Sequence, residues 1–287
     1  MLLKKQELYK RLIDRVIHKS VLRFIVALFA SIYSYHQLLR EFVIRDIKGR
    51  FAGSFAGLLW TVINPIATIV AYFFVFSLVL KINVTVEDVG TDQFILFFLS
   101  GFFPWILFAD SLNKSVGSIV AQSGLVTKVI FPVELIPVST LLSAFIINGT
   151  GFMIFLIYLT FSGFAHISWL CIPILIFIEL IFSLGVSLFL AAFCVFIRDT
   201  TEILSIVMML WFYVTPVVYP DSMIPKEMVT VLSFNPMSMF VECMRDTLFR
   251  HQVDGMMIFK LFVMSVILLV PSTYFFMRSK PAFGDVL

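Results

Sequence analysis

Between Glu134 and Glu179 the chain carries no Asp, Glu, Lys or Arg. A bilayer span needs about 20 apolar residues, so this one stretch is long enough for two. It divides near Ser162, Gly163 and His166, giving spans over 135–161 and 169–197. The same test gives four more. These are 57–80, free of charge; 93–113, whose uncharged part ends at Asp110; 203–219; and 256–277. Composition agrees. Of 287 residues 60% are hydrophobic, 16% aromatic and only 14% charged, against about 25% charged in an average soluble chain. A soluble globule could not hide that much apolar surface, disordered chains are poor in it, and Gly 13 with Pro 11 excludes a collagen-like chain. The fold class expected is all-α: a polytopic membrane protein with six transmembrane helices.

Orientation follows from Lys and Arg, which favour the cytoplasmic side. Eleven lie in residues 1–50, and Lys114, Lys128, Arg198, Arg278 and Lys280 fall on the same side of a six-span layout. In the alternate loops there is no Lys or Arg over 82–92, where Glu87, Asp88 and Asp92 sit instead, none at 161–168, and three (Lys226, Arg245 and Arg250) over 220–255. Both termini are thereby assigned to the cytoplasm. No cleavable signal peptide is read, because the first twenty residues are polar and basic. A seventh apolar stretch, Phe24 to Leu39, is strongly apolar only to Tyr35 and reads as a surface or partly inserted segment rather than a span.

The chain divides at residue 56: a cytoplasmic N-terminal segment over 1–56 and a membrane domain over 57–287. Taken as a helix, Tyr35 to Lys48 places Tyr35, Leu38, Leu39, Phe42, Val43 and Ile47 on one half and Gln37, Arg40, Glu41, Arg45 and Lys48 on the other, with Ile44 and Asp46 as exceptions. That pattern suits an N-terminal interfacial amphipathic helix at headgroup depth. Arg45, Lys48 and Arg50 at its end read either as plain anchoring charge or as recognition of a diphosphate, since Arg makes paired bonds to phosphate oxygens. Gly49, Gly53 and Gly57 repeat every four residues and read as a smooth packing face. The last outer loop, 220–255, is too apolar over Met228 to Phe249 for an aqueous loop. Two short re-entrant helices broken at Asn235-Pro236 explain it better.

Glu179 is the one carboxylate deep in a span and reads either as a packed hydrogen-bonding group or as functional. Tyr72, Phe73, Phe76, Trp211, Phe212, Tyr213 and Tyr219 are candidate channel aromatics, suited to sugar rings, although packing explains each one singly. Cys171, Cys194 and Cys243 are too far apart for a metal motif and read as free thiols. No His, Cys, Asp or Glu group has metal spacing. The catalytic motifs G-x-S-x-G and H-E-x-x-H are missing, and so is a P-loop.

From Arg45-Asp46-Ile47-Lys48-Gly49-Arg50-Phe51 through Gly57, Leu58, Leu59, Trp60 and Asn64-Pro65, the chain resembles the permease subunits of type-2 polysaccharide-exporting ABC transporters, nearest the lipopolysaccharide O-antigen branch. Gly101-Phe102-Phe103-Pro104-Trp105, Lys128-Val129-Ile130-Phe131-Pro132, Phe196-Ile197-Arg198-Asp199, Thr215-Pro216 and Phe234-Asn235-Pro236-Met237 come after in the same order. The likeness covers about residue 35 to the C-terminus. It implies a multi-pass protein of the bacterial inner membrane that forms a homodimer and works with two copies of an ABC ATPase. It implies no cofactor in this chain, ATP and Mg being bound by the partner, and no enzymatic activity of its own. The implied cargo is undecaprenyl-diphosphate-linked polysaccharide, moved from cytoplasm to periplasm; for such a cargo the charge pattern of the interfacial helix makes Arg45, Lys48 and Arg50 the expected entry for the diphosphate. It further implies periplasmic re-entrant helices and an ATPase coupling helix over Ser118 to Lys128, including Gln122, Gly124 and Val126. Membrane lipid is a partner and nucleic acid is not. Two other classes remain open: an ion-coupled lipid-oligosaccharide flippase, and a membrane-embedded glycosyl or acyl transferase.

Overall fold

The computed structural model describes residues 22–79, 91, 93–129, 131–220, 232 and 234–287. In chain order its helices are α1 (Leu22–Ser34), α2 (His36–Arg50), α3 (Trp60–Phe73, continued by a π-helical turn Phe74–Val79), α4 (Phe94–Val116), α5 (Ser118–Ala121), α6 (Ser123–Lys128), α7 (Leu135–Phe161), α8 (Ile172–Phe196, led in by a 3-10 turn Ile167–Cys171), α9 (Thr200–Val214), α10 (Pro236–Arg245, continued by a π turn Asp246–Arg250), α11 (Gly255–Ser279) and, after a 3-10 turn at Lys280–Ala282, α12 (Phe283–Val286). Helices are what a chain this apolar must form, because lipid offers no partner to a free backbone N–H or C=O.

Five helical stretches among the described residues are long and apolar enough to cross a membrane: Trp60–Val79, Phe94–Val116, Leu135–Phe161, Ile167–Phe196 and Gly255–Val286. They match five of the six spans read from sequence. The sixth, 203–219, is represented by α9. Its 15 residues rise about 22 Å, short of a hydrocarbon core of about 30 Å, and the chain leaves the helix at Thr215.

α4 is the hub. It is buried along most of its length and packs against α7, α8, α9 and α10, while α8 and α11 form the most extensive pair. α3 is the opposite case, with no buried residue on it. It leans on α7 by one side, where Gly151 admits Pro65: a Cβ at Gly151 would stand 2.8 Å from the Pro65 ring.

Three readings are corrected. The apolar half of α2 does not lie open to lipid. Leu39 and Val43 are buried, and Tyr35, Leu38, Phe42 and Ile47 pack on the same core, laid along α7. Arg40, Glu41, Arg45 and Lys48 are exposed, so the two halves are as read, but protein covers the apolar one. The Gly49, Gly53, Gly57 repeat is not a helix face either. α2 ends at Arg50, and Gly53 (φ 77°) and Gly57 (φ 51°) take left-handed turns that a Cβ would strain. The segment 118–128 is a pair of short helices broken at Gln122 rather than one.

Of the stretch 228–249, residues 228–231 and 233 lie outside the described residues, so the first of the two short helices is not described. The second is α10. Asn235 caps it by accepting the Met237 N–H at 3.0 Å, and Pro236 stands in its first turn, a favoured start because proline has no N–H to leave unpaired. Residues 80–90 and 92 of the loop after α3 are likewise outside the description.

Candidate functional site

The end of α2, the C-terminal end of α4 and the middle of α7 build one polar cluster inside otherwise apolar surroundings. Arg50 ends α2. Its guanidinium bonds Asp46 one turn back at 3.1–3.2 Å, and its Nη2 donates to Ser143 of α7 at 3.1 Å. Ser143 in turn donates to Asp46. Asp46, an exception in the sequence pattern, is thus turned inward because it holds α2 to α7. On the far side Arg50 Nη1 stands 3.8 Å from Asp110 of α4 and is buried without a hydrogen bond among the described residues. Asp110 also receives Lys114 Nζ at 2.6 Å and Asn148 Nδ2 of α7 at 2.7 Å. Two carboxylates balance two cations, and both N–H groups of Arg50 Nη1 remain unspent among the described residues.

This cluster walls a cavity of about 460 Å³ between α3, α4 and α7. Arg50, Asp110, Lys114 and Asn148 line one part, and Trp60, Asn64, Thr68, Phe102 and Phe103 line the rest. A second cavity of about 340 Å³ opens between α4 and α9, lined by Trp105, Asn113, Ser205, Phe212 and Tyr213 among others. Ile106 and Asp110 belong to both walls, so the two spaces flank α4 and share one carboxylate. Few polar groups converging in a largely apolar concavity are what a ligand site requires.

The structure separates the three basic residues grouped by sequence. Arg50 is in the cavity. Lys48 is exposed. Arg45 lies over its own Phe42 ring at 4.7 Å and donates to Gln122 at 3.1 Å, which ties α2 to the break between α5 and α6. In that pair Ser118 is buried and bonds the Ser115 carbonyl at 2.6 Å, Val126 packs on the core, and Lys128 is exposed. Gly124 has open space around it.

The candidate aromatics also divide. Tyr72 and Phe76 stack on each other and on Phe98, whereas Phe73 is exposed. Phe212 and Tyr213 line the second cavity. Trp211 is held between helices: its Nε1 donates to Asn235 at 2.9 Å, and its ring packs on Phe108. Tyr219 donates to the Tyr213 carbonyl at 2.9 Å. Asn235, a helix breaker by its sequence, is also a junction, since it donates to Thr215 Oγ1 at 3.1 Å.

Sequence reasoning places Arg245 in an outer loop. It is 6% exposed, with its guanidinium over the Phe97 ring at 3.7 Å and a bond of 3.0 Å to the Val217 carbonyl. Gly101 leaves the room, because a Cβ there would stand 2.8 Å from Arg245 Nη2. The signal was the spacing of Arg245 on α10, between Val241 and Phe249 on the buried side. Glu179 is 1% exposed, and neither of its oxygens has a hydrogen-bond partner among the described residues. Of the two readings of Glu179, the packed hydrogen bond is not found among the described residues.

These features describe a multi-pass helical membrane protein with a charged cavity at one end of its central helix. The pattern of the ABC-2 type transporter family matches residues 37–249, and the chain belongs to that family. It is 31% identical to the O-antigen export system permease protein RfbA of Myxococcus xanthus, over 91% of this chain and 99% of that one. It is 29% identical to the protein of the same name from Klebsiella pneumoniae, over 85% and 92%. The polysialic acid transport protein KpsM of Escherichia coli is 25% identical over 71% and 78%.

Proposed function

We propose that the chain is the permease half of an ATP-driven exporter that moves polysaccharide on undecaprenyl diphosphate from cytoplasm to periplasm, along a pathway between two copies of itself. The charged cavity carries this reading. Arg50 and Lys114 supply cations at the end of α4 nearest the Lys/Arg-rich segments, and Arg50 Nη1 has a hydrogen bond to give. The diphosphate would take over Arg50 and Lys114 from Asp110. Trp60, Asn64 and Asn148 beside them offer a flat ring and amides to the first sugar. α9 is counted as the remaining span of six, completed by the chain after Thr215, and α10 as a re-entrant helix on the periplasmic side. Both termini are then cytoplasmic in a bacterial inner membrane. The α5–α6 pair, next to α2 on the basic side, would receive a separate ATPase, which binds ATP and Mg. The outward sides of α3 and α9, rich in exposed Ile, Val and Leu, are the surfaces for the second copy or lipid.

The test is surface polysaccharide in cells carrying Arg50→Ala at matched protein level. Export should collapse while membrane insertion and ATPase association persist, and full export would remove the diphosphate role. A second reading, the ion-coupled flippase, draws on the unpartnered Glu179. Export that continues without any ATPase and stops in Glu179→Gln would favour it.

A further inference from the structure

The C-terminal end of α11, with the short helix α12 beyond it, is fastened at two independent points to the α5–α6 pair and the chain leaving it. The first is polar. Lys280 Nζ meets Glu134 Oε2 at 2.6 Å, and the other oxygen of Glu134 takes the Ser31 hydroxyl of α1 at 2.7 Å. Glu134 is 3% exposed and stands immediately before α7, where the chain returns from α6. The contact ties the C-terminal end of α11 to the point where the chain enters α7, and without Lys280 the carboxylate still keeps the Ser31 hydroxyl as a partner. The second point is apolar. α12 packs on α6. Its Phe283 is fully buried, with ring contacts to Phe276 of α11 at 5.6 Å and Phe196 of α8 at 6.1 Å. Val126 of α6 and Leu287 pack on the same core. A helix of one turn has no stability of its own, so α12 exists because it is wedged there.

At its other end α11 packs on α10, the helix that Arg245 binds to α4. One long helix therefore has the α5–α6 pair attached at one end and the outer helix at the other.

We propose that the segment from Lys280 to Leu287 is a positioning strut that makes α6 and α11 move together, so that displacement of α6 by a partner protein reaches α10. Without the strut α6 would tilt alone. The inference rests on the reading of α5–α6 as the ATPase contact.

The experiment uses the full complex of this chain with its ATPase, comparing Lys280→Ala, Phe283→Ala and Lys280→Arg with the unaltered protein. Three quantities are measured: ATPase recovered with the chain, ATP hydrolysis per complex, and surface polymer. Lys280→Ala and Phe283→Ala should assemble and hydrolyse ATP normally, yet export about tenfold less per ATP, inside the ~5–150-fold range of ordinary site-to-site coupling. Lys280→Arg, which keeps the charge, should restore export. Unchanged export per ATP in both Ala variants overturns the proposal. So does a fall in export that only tracks a fall in complex recovered, which is plain misfolding. Failure of the unaltered chain to recover any ATPase removes the underlying reading instead, and is seen before the variants are compared.

Discussion

Arg245 lies with its guanidinium 3.7 Å from the centre of the Phe97 ring, and the two residues belong to helices that are far apart in the chain. The contact is a cation–π pair out of water, where such pairs are strongest, and the same guanidinium ends on the Val217 carbonyl. It thus joins α4, α10 and the chain after α9 at one point. Gly101 beneath it is the space it needs.

Gly101→Ala should therefore destabilise the protein, by about 1–3 kcal/mol as for other overpacked sites. Arg245→Met should remove about 1.5–3 kcal/mol for the charged hydrogen bond and a further ~1 for the ring contact. Thermal unfolding of the detergent-solubilised protein measures both. The double variant should lose less than the sum, because the first change already displaces the guanidinium.

Asp110→Asn should strengthen binding of a prenyl diphosphate. Asn can still accept from Lys114 and Asn148, so the fold holds, but the negative charge facing the ligand is gone. A unit charge ~4 Å away contributes up to ~4 kcal/mol at an effective dielectric of about 20, and screening by water in the open cavity reduces this to roughly tenfold in affinity. Titration of the purified protein with a short-chain prenyl diphosphate is the measurement. Weaker binding would mean that Asp110 orients Arg50 rather than competing for it.

Asn235→Ala removes a helix cap, worth about 1 kcal/mol, and strands the Trp211 N–H, at about 1–3 kcal/mol for a group left unpaired, while the Thr215 hydroxyl keeps its bond to the Trp211 carbonyl. Asn235→Asp keeps the acceptor for Met237 and Trp211 and loses only the donor to Thr215, so it should fall between. Unfolding followed by tryptophan fluorescence reports the order.

The loop after α7 and the chain leading into α11 meet at His166 and His251, whose ring centres are 4.3 Å apart. Burial, and then the neighbouring His166, lower the His251 pKa from its usual 6.5. Between the lowered and the usual value the separated loops bind more protons than the packed ones, so the contact gains as pH rises through that window and weakens as pH falls through it. Asp246, Arg250 and Asp254 are the charged residues nearest along its own segment, and Asp246 and Arg250 are paired to each other at 2.7 Å. Protection of 162–171 and 246–254 against hydrogen exchange, taken relative to the intrinsic rate at each pH, should fall as pH drops below the usual 6.5 toward the lowered His251 value. His251→Gln should flatten that dependence.

Five long helices were legible because a long apolar run with few or no charges has one explanation at that length. Residues 135–161 became α7 to the residue. Contacts between distant segments were not legible. The pattern of α2 showed two faces but not that α7 covers the apolar one, because a lipid tail and a leucine make the same demand on sequence. Arg50 was found by its charge. Its partner Ser143 and the Asp110 partner Asn148 were missed, because polar residues in spans carry no periodic mark. Asp110 and Lys114 did carry one, their spacing of four on a helix. The glycine repeat misled because a spacing of four means a helix face only where the chain is helical, and Gly53 lies in a turn.

α4 is synthesised before α7, α8, α9 and α10, which later enclose it. Until they arrive its rows of Phe can rest in lipid, but Asp110 and Lys114 have no cavity to occupy. Their mutual bond, 2.6 Å within one helix, neutralises both without help from any later segment. The pair that ends up in the wall of the charged cavity is therefore also expected to ease insertion of the central helix before its neighbours arrive.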